Sequence, residues 1–199
     1  MRTLFHLWLH PFSRKVRIVL AEKSLDFTPQ IEKVWERRTD FLALNPAGDV
    51  PVLIEKDGTT LANSQVICEY LEEYGDAPPL LPKEGRAHWE ERSLDAYAHA
   101  LMDSIAWRLR EYRKAEGDRY QPFIDYEKTR ALRCFAELEE RVDELQSAEI
   151  SLGRILLAIA CYYQLWRWPD QDWRNESPRL AAWYEPTIAR SSIAPILPK

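Results

Sequence analysis

A proline-rich segment divides this chain into two parts with different secondary-structure patterns. Residues 76–82 read DAPPLLP, and three prolines in five residues favour a stiff connector that excludes helix. Strand signals occur only before this segment, whereas apolar residues at helical spacing dominate after it. We therefore predict an α/β domain over residues 1–77, a linker over 78–83 and an all-helical bundle over 84–199.

The first part alternates strand and helix patterns. Ser13 is predicted to cap a first helix, and Asn63-Ser64 is predicted to begin a third one after a short helix over 37–43. Asp57-Gly58 is a strong signal for a hairpin between the last two strands. The predicted strands are 3–8, 27–31, 52–54 and 60–61. The order β-α-β-α-β-β-α is that of a thioredoxin-like domain.

The second part carries long helical stripes of apolar residues. Residues 152–168 are apolar nearly all round, which predicts a helix buried among the others. Ser177-Pro178 is predicted to open the last helix, because proline is well tolerated in a first helical turn. The tail over 194–198 is predicted to be an extended closing segment.

Charge and cysteine usage exclude several classes of function. The net charge of -5 argues against a general nucleic-acid or anionic-membrane binder. The three cysteines show no metal or disulfide spacing, so no metal cofactor is expected. The longest apolar run, 155–163, is far shorter than the ~20 residues that a membrane-spanning helix requires. The N-terminus is a poor signal peptide, and a cytoplasmic protein is predicted.

The loop over 45–53 delivers the chain into Val50-Pro51 and then directly into an apolar strand. Proline cannot donate to a sheet ladder, so the strand edge is left unpaired there. If the Val50-Pro51 bond is cis, the backbone N–H and C=O of Val50 face outward and can pair with an extended ligand. Only ~5–6% of bonds before proline are cis, so this interpretation depends on the neighbouring motifs at 10–13 and 63–64.

Taken together, these segments resemble those of the cytosolic glutathione S-transferases. The resemblance rests on residues 11–17, 45–53, 64 and 67–71, and more loosely on 152–153, 173 and 180–184, which are similar to short bacterial members. It implies a thioredoxin-like glutathione-binding domain followed by a helical domain, in a bacterial protein that uses glutathione as co-substrate and no metal.

The resemblance assigns roles to four residues of the first domain. It gives Val50 the backbone pairing with the cysteinyl part of glutathione and Pro51 the cis bond. Ser64 would take the γ-glutamyl carboxylate, since a hydroxyl and free N–H groups at a helix N-terminus form an anion site; a plain helix cap is the alternative. Asn63 replaces the acidic residue that helps most relatives to hold the glutathione amine, and it loses the stronger charge-assisted hydrogen bond.

Two side chains are candidates for activating the glutathione thiol. His10 stands where many relatives have a serine or cysteine, and it can donate a ring N–H or act as a base. Ser13, the slightly favoured candidate, can donate its hydroxyl at the start of the first helix, where the dipole also favours a thiolate. His10 can alternatively serve only to end the strand. Without a cysteine at either position, dithiol exchange is disfavoured.

The predicted reaction is attack of the glutathione sulfur on a small hydrophobic electrophile lying over the helical domain. Ordinary core packing is the alternative role for the side chains proposed to line that surface. These are Tyr97, Met102, Ile105, Trp107 and Leu109. Relatives are usually two-fold dimers, so a homodimer that uses Tyr70, Tyr74 and the helix around Tyr97 is also predicted.

A non-catalytic binding protein that reuses the same fold is the competing function. Residues 5–7, 10–20 and 35–38 resemble glutathione S-transferase-like proteins that associate with the bacterial cell-division filament. The unusual residues His10 and Asn63 fit weakened catalysis. The helical part, which is closer to ordinary bacterial transferases, favours the transferase.

One further departure concerns folding. Many relatives begin the buried helix with a capping box that ends in aspartate, whereas here the segment 151–154 ends in Arg154. The carboxylate of a capping box closes the start of a helix. Without this carboxylate, the backbone N–H groups at the start of the buried helix need another hydrogen-bond acceptor.

Overall fold

Two compact units make up the protein. The computed structural model describes residues 1–146 and 149–198; residues 147, 148 and 199, which fall in the predicted helical domain, lie outside the described part. The first unit contains Met1–Lys83 together with the residues from Ser191 onward, and the second contains Glu84–Arg190.

The first unit has the predicted thioredoxin-like order of elements. They are β1 (Arg2–His6), α1 (Pro11–Glu22), β2 (Phe27–Ile31), α2 (Thr39–Leu44), β3 (Val52–Ile54), β4 (Thr60–Ala62) and α3 (Ser64–Leu71). The predicted hairpin is confirmed, because Ile54 lies opposite Thr60 and Leu53 opposite Leu61.

The four strands form one mixed sheet in the order β2-β1-β3-β4. β1 runs parallel to β2 and antiparallel to β3, and β3 runs antiparallel to β4. Val52 lies opposite Phe5 of β1 on one side and Ala62 of β4 on the other. The end of β1, the start of β3 and the end of β4 therefore meet at the same edge of the sheet.

The two faces of the sheet are covered by different helices. Phe5, Val52 and Ala62 lie on one face and pack with Phe41 of α2 and with Val50. Because side chains alternate along a strand, Leu4 and Leu53 lie on the opposite face. Helices α1 and α3 pack against each other, and α3 contacts β3 and β4.

The second unit is all-helical, as predicted. Its helices are α4 (Gly85–Tyr112), α5 (Gln121–Glu140), α6 (Asp143–Gln146), α7 (Leu152–Arg167) and α8 (Pro178–Ile188). Helix α7 packs against α4 and is buried without interruption from Leu152 to Cys161. Among the described residues, no helix combines the length and apolar character needed to cross a membrane.

Several predicted boundaries were wrong. Ser13 does not cap α1: the helix begins at Pro11, whose fixed φ suits a first helical position, so His10 occupies the cap position. The tail is not fully extended, since Ala194–Ile196 forms a 3₁₀ turn.

The start of α7 obtains its missing carboxylate from another helix. The Ser151 hydroxyl accepts from the backbone N–H of Arg154 at 3.4 Å, as in a capping box. Glu91 of α4 accepts from the backbone N–H of Gly153 at 2.6 Å and from the Arg154 guanidinium at 3.1 Å. A Cβ at Gly153 would lie 2.8 Å from the backbone nitrogen of Asp95, so only glycine permits this approach. Burial raises the pKa of Glu91, although these hydrogen bonds and Arg154 oppose that shift.

Candidate functional site

The predicted site residues meet at one edge of the sheet. Val52 pairs with Phe5 and with Ala62, and Val50, Leu7 and Ser64 each lie two residues beyond these paired strand ends. Helix α3 begins at Ser64, and α1 begins shortly after β1 ends. The loop before β3 and the N-terminal ends of two packed helices therefore surround this edge.

The loop leading to Val50 is held in place by Asn45. The Asn45 side chain donates to the backbone carbonyl of Asp49 at 2.7 Å and accepts from the backbone N–H of Ala47 at 3.2 Å. The Val50–Pro51 peptide bond is cis. Within the described part of the chain, the backbone N–H and C=O of Val50 form no hydrogen bond. A donor and an acceptor on the backbone of one residue are thus left for a ligand.

Asn63 and Ser64 have different roles at the start of α3. The Asn63 side chain accepts from the backbone N–H of Gln65 at 2.8 Å, so Asn63 is the cap. Its φ of 76° lies in the left-handed region, which asparagine tolerates better than most residues. Ser64 is 3% exposed, and no described residue hydrogen-bonds to its hydroxyl. Ser64 is therefore not the cap, and its hydroxyl is left for a ligand.

His10 and Ser13 form a pair at the start of α1. The Ser13 hydroxyl lies 3.3 Å from His10 Nδ1. The backbone of His10 is fixed on both sides, because its N–H donates to the Leu7 carbonyl at 3.0 Å and its carbonyl accepts from the Arg14 N–H at 3.1 Å. Ser13 is fully buried, whereas His10 is half-buried. The two candidates for thiol activation thus lie within hydrogen-bond distance of each other.

The charges of Arg14 and Arg17 of α1 act on ionisable groups near the start of this helix. Burial, followed by the charges of Arg17 and Arg14, lowers the pKa of His6 to about 4, so His6 is neutral near pH 7. Burial and then Arg14 lower the pKa of Arg17 to about 10, and its guanidinium lies 4.3 Å from the centre of the Trp8 ring. Positive charge in this region favours an anionic sulfur over a neutral thiol.

The residues predicted to bind the electrophile belong to the second unit and have mixed environments. Met102 and Ile105 are buried, which agrees with the core-packing alternative for these two. The Tyr97 hydroxyl donates to the Cys134 carbonyl at 3.2 Å. Trp107 is exposed, and its ring lies edge-on to Phe123.

Sequence reasoning missed the pairing of His10 with Ser13 and the clamp formed by Asn45. Both had a signal. Residues three apart face each other across a helical turn, and asparagine readily bonds the backbone of a loop two residues on. In the part of the chain that the structure describes, no group of three or more His, Cys, Asp or Glu side chains is placed to hold a metal ion.

Comparison with known proteins identifies the class of fold. Residues 11–74 match the model of the glutathione S-transferase N-terminal domain. A glutathione transferase family member from Pseudomonas fluorescens Pf-5, solved with bound glutathione, is 31% identical and superposes with a TM-score of 0.93 over 100% of both chains. The chain therefore belongs to the glutathione transferase family.

Two curated relatives show how varied this family is. An uncharacterised GST-like protein of Escherichia coli, YibF, is 27% identical over 92% of both chains. FtsZ-localized protein A of Caulobacter vibrioides is 38% identical, over 47% of this chain and 42% of that protein. Membership in the family therefore does not distinguish a catalyst from a binding protein. The residues of the site have to distinguish them.

Proposed function

We propose that this protein is a glutathione transferase that binds glutathione at the sheet edge and activates its thiol for attack on a small hydrophobic electrophile. The observation that carries the proposal is the presence of unpaired groups on Val50 and Ser64 at one edge, beside the start of α1. The bound glutathione in the Pseudomonas fluorescens relative supports the same ligand.

Anchoring of glutathione would use the backbone of Val50 and the start of α3. The Val50 N–H and C=O would pair with the cysteinyl residue, as an added strand pairs with a sheet edge. The γ-glutamyl carboxylate would accept from the Ser64 hydroxyl, near the positive end of the α3 dipole. Asn63 already caps the helix, so its side chain offers the glutathione amine only a neutral hydrogen-bond acceptor.

The chemical step would begin with loss of the thiol proton to solvent water. The resulting sulfur lone pair forms the new bond to an electrophilic carbon, and a leaving group departs with the electrons of the bond that breaks. The charges of Arg17 and Arg14, which help to lower the pKa of His6, would also lower the cost of the thiolate. We assign glutathione to the thioredoxin-like unit, which the sequence predicted over residues 1–77, and the second substrate to the helical unit, which it predicted over 84–199 and which the structure ends at Arg190.

Retention on immobilised glutathione, followed by a chlorodinitrobenzene conjugation assay, tests this function. We expect the purified protein to be retained, to elute with free glutathione, and to form the conjugate faster than the uncatalysed reaction. Serum albumin on the same column controls for non-specific adsorption. Retention without turnover would support the binding of glutathione and would contradict catalysis.

A binding protein without catalysis is the second candidate, and exposed aromatic side chains favour it. Trp8 and Trp35 are 49% and 63% exposed, and they follow β1 and β2 at the sheet edge where these parallel strands end. Large exposed aromatic residues are typical of interaction surfaces. The relative named for its localisation to FtsZ makes the cell-division filament the partner to test under this candidate.

We also propose that the protein is a cytoplasmic homodimer. Tyr70 and Tyr74 are only partly buried in the first unit, with their hydroxyls 2.6 Å apart, and a partner subunit would cover them. Sedimentation at micromolar concentration is expected to give about twice the chain mass of 23.4 kDa. Replacing both residues by glutamate should shift the protein to monomer, because two charges would be buried in the contact. A wild-type protein that sediments only at 23.4 kDa would contradict the dimer.

A further inference from the structure

Helices α4 and α7 run parallel and end at the same end of the helical unit. Near their starts, Glu91 of α4 accepts from the backbone N–H of Gly153 of α7. Near their ends, Arg108 of α4 donates to Gln164 of α7 at 3.3 Å. The last carbonyl groups of both helices therefore lie at one end of the unit, where their partial negative charge favours cations.

Two arginines at this end have no acidic partner. Arg113 directly follows α4, and Arg167 is the last residue of α7. In the described part of the chain, neither guanidinium makes a hydrogen bond or an ion pair. Arg167 is half-buried, and burial, together with the charge of Arg113, lowers its pKa. The two helix ends offset about one positive charge in all, which is less than these two arginines carry.

The acidic side chains of the adjoining segments do not neutralise this pair. Glu111 accepts from Lys114 Nζ at 2.5 Å and from the backbone N–H of Tyr120 at 3.1 Å. Asp172 pairs with Arg174 at 2.7 Å. Three further acidic side chains in these segments form no ion pair within the described chain; they are Glu116, Asp118 and Asp170. An anion from solution is therefore left to balance the arginine pair.

Aromatic rings flank the arginine pair. The Arg167 guanidinium lies 3.6 Å from the centre of the Trp166 ring. The Trp168 ring lies 3.9 Å from the guanidinium of Arg108 and 6.2 Å from the ring of Tyr112. The two tryptophans are partly buried, and Tyr112 is 38% exposed. A flat ring can stack on such faces while an anionic group attached to it binds a guanidinium.

We propose that Arg113 and Arg167 bind the carboxylate of an aromatic second substrate, whose ring stacks on the aromatic side chains beside them. The inference rests on the proposed function and deepens it by naming the class of electrophile. The planar fork of a guanidinium matches the two oxygens of a carboxylate, and both partners are charged. The site therefore selects aromatic electrophiles that carry a carboxylate over neutral ones of the same shape.

Two electrophiles of nearly equal shape test this selectivity: 4-chloro-3,5-dinitrobenzoate and its neutral amide. In both, the glutathione sulfur bonds to the ring carbon that bears chlorine, and chloride leaves with the electrons of the carbon–chlorine bond. We expect the wild-type KM to be about tenfold lower for the benzoate than for the amide, since a hydrogen bond to a charged group is among the stronger ones. Rates are corrected for the uncatalysed reaction of each compound.

Arg167→Gln is expected to raise the KM for the benzoate about tenfold and to change that for the amide less than twofold. Arg167→Lys should retain part of the preference, because it keeps the charge and loses the planar fork. Arg110→Gln is the matched control: Arg110 also lies on α4 and stacks on a tryptophan, Trp107, at 4.6 Å, but it is not part of the proposed site. It should change neither KM.

Calorimetry with the benzoate in the absence of glutathione measures the site directly. The wild type should bind the benzoate, and Arg167→Gln should bind it about tenfold more weakly, with thermal melting showing that the variant is folded. Equal KM values for the two compounds in the wild type, or unchanged benzoate binding in Arg167→Gln, would overturn the inference; the proposed function stands as long as both compounds are conjugated. If neither compound is conjugated, the proposed function fails and the substrate role fails with it.

Discussion

Replacing Glu91 by alanine is expected to destabilise the protein by about 3–5 kcal/mol, the usual cost of removing one partner of a buried ion pair. The Arg154 guanidinium would lose its carboxylate partner while remaining largely buried. The backbone N–H of Gly153, at the start of the buried helix α7, would lose its acceptor as well. Urea unfolding measures the change through the transition midpoint.

Glu90→Ala provides a matched control one residue earlier on the same helix. Glu90 pairs with Arg86 at 2.6 Å, but both side chains are largely exposed. Such a surface pair contributes at most about 1 kcal/mol. Equal shifts of the midpoint in the two variants would show that Glu91 is not the residue that closes the start of α7.

Ser64→Ala is expected to weaken glutathione binding by about ten- to a hundredfold, since a hydrogen bond to a charged group contributes about 1.5–3 kcal/mol. The Ser64 hydroxyl has no partner among the described residues, so its loss should leave the folded protein almost unchanged. Asn63 remains as the cap of α3. Isothermal titration with glutathione measures the affinity.

Ser104→Ala is the corresponding control in the helical unit. Ser104 is fully buried and donates to the Glu127 carbonyl at 2.7 Å. Its replacement should lower stability and leave the affinity for glutathione unchanged. If Ser64→Ala binds glutathione as tightly as the wild type, the γ-glutamyl carboxylate does not lie on Ser64.

Local sequence signals were sufficient for most of the fold. Asp57-Gly58 specifies a hairpin through its turn chemistry, and the structure closes it as a three-residue loop in which Gly58 has a φ of 90° and its N–H donates to the Glu55 carbonyl at 3.1 Å. The apolar run from Leu152 onward predicts a helix that is buried on all sides, because no polar face is available for solvent. In both cases the information lies within one short segment.

Features that depend on long-range contacts could not be predicted. Glu91 and Gly153 are 62 residues apart in the chain, and no local pattern links a carboxylate in α4 to the start of α7. At the start of α1, the serine pattern alone suggested a cap, while the proline at Pro11 moves the cap position to His10. The relative burial of His10 and Ser13 is visible only in three dimensions.

A crystal structure of the protein with glutathione tests the central claim most directly. We expect the cysteinyl N–H and C=O to pair with the backbone of Val50, the γ-glutamyl carboxylate to lie within hydrogen-bond distance of Ser64, and the sulfur to lie beside His10 and Ser13 at the start of α1. Glutathione bound elsewhere, or a sheet edge that stays empty in crystals grown with saturating glutathione, would contradict the account.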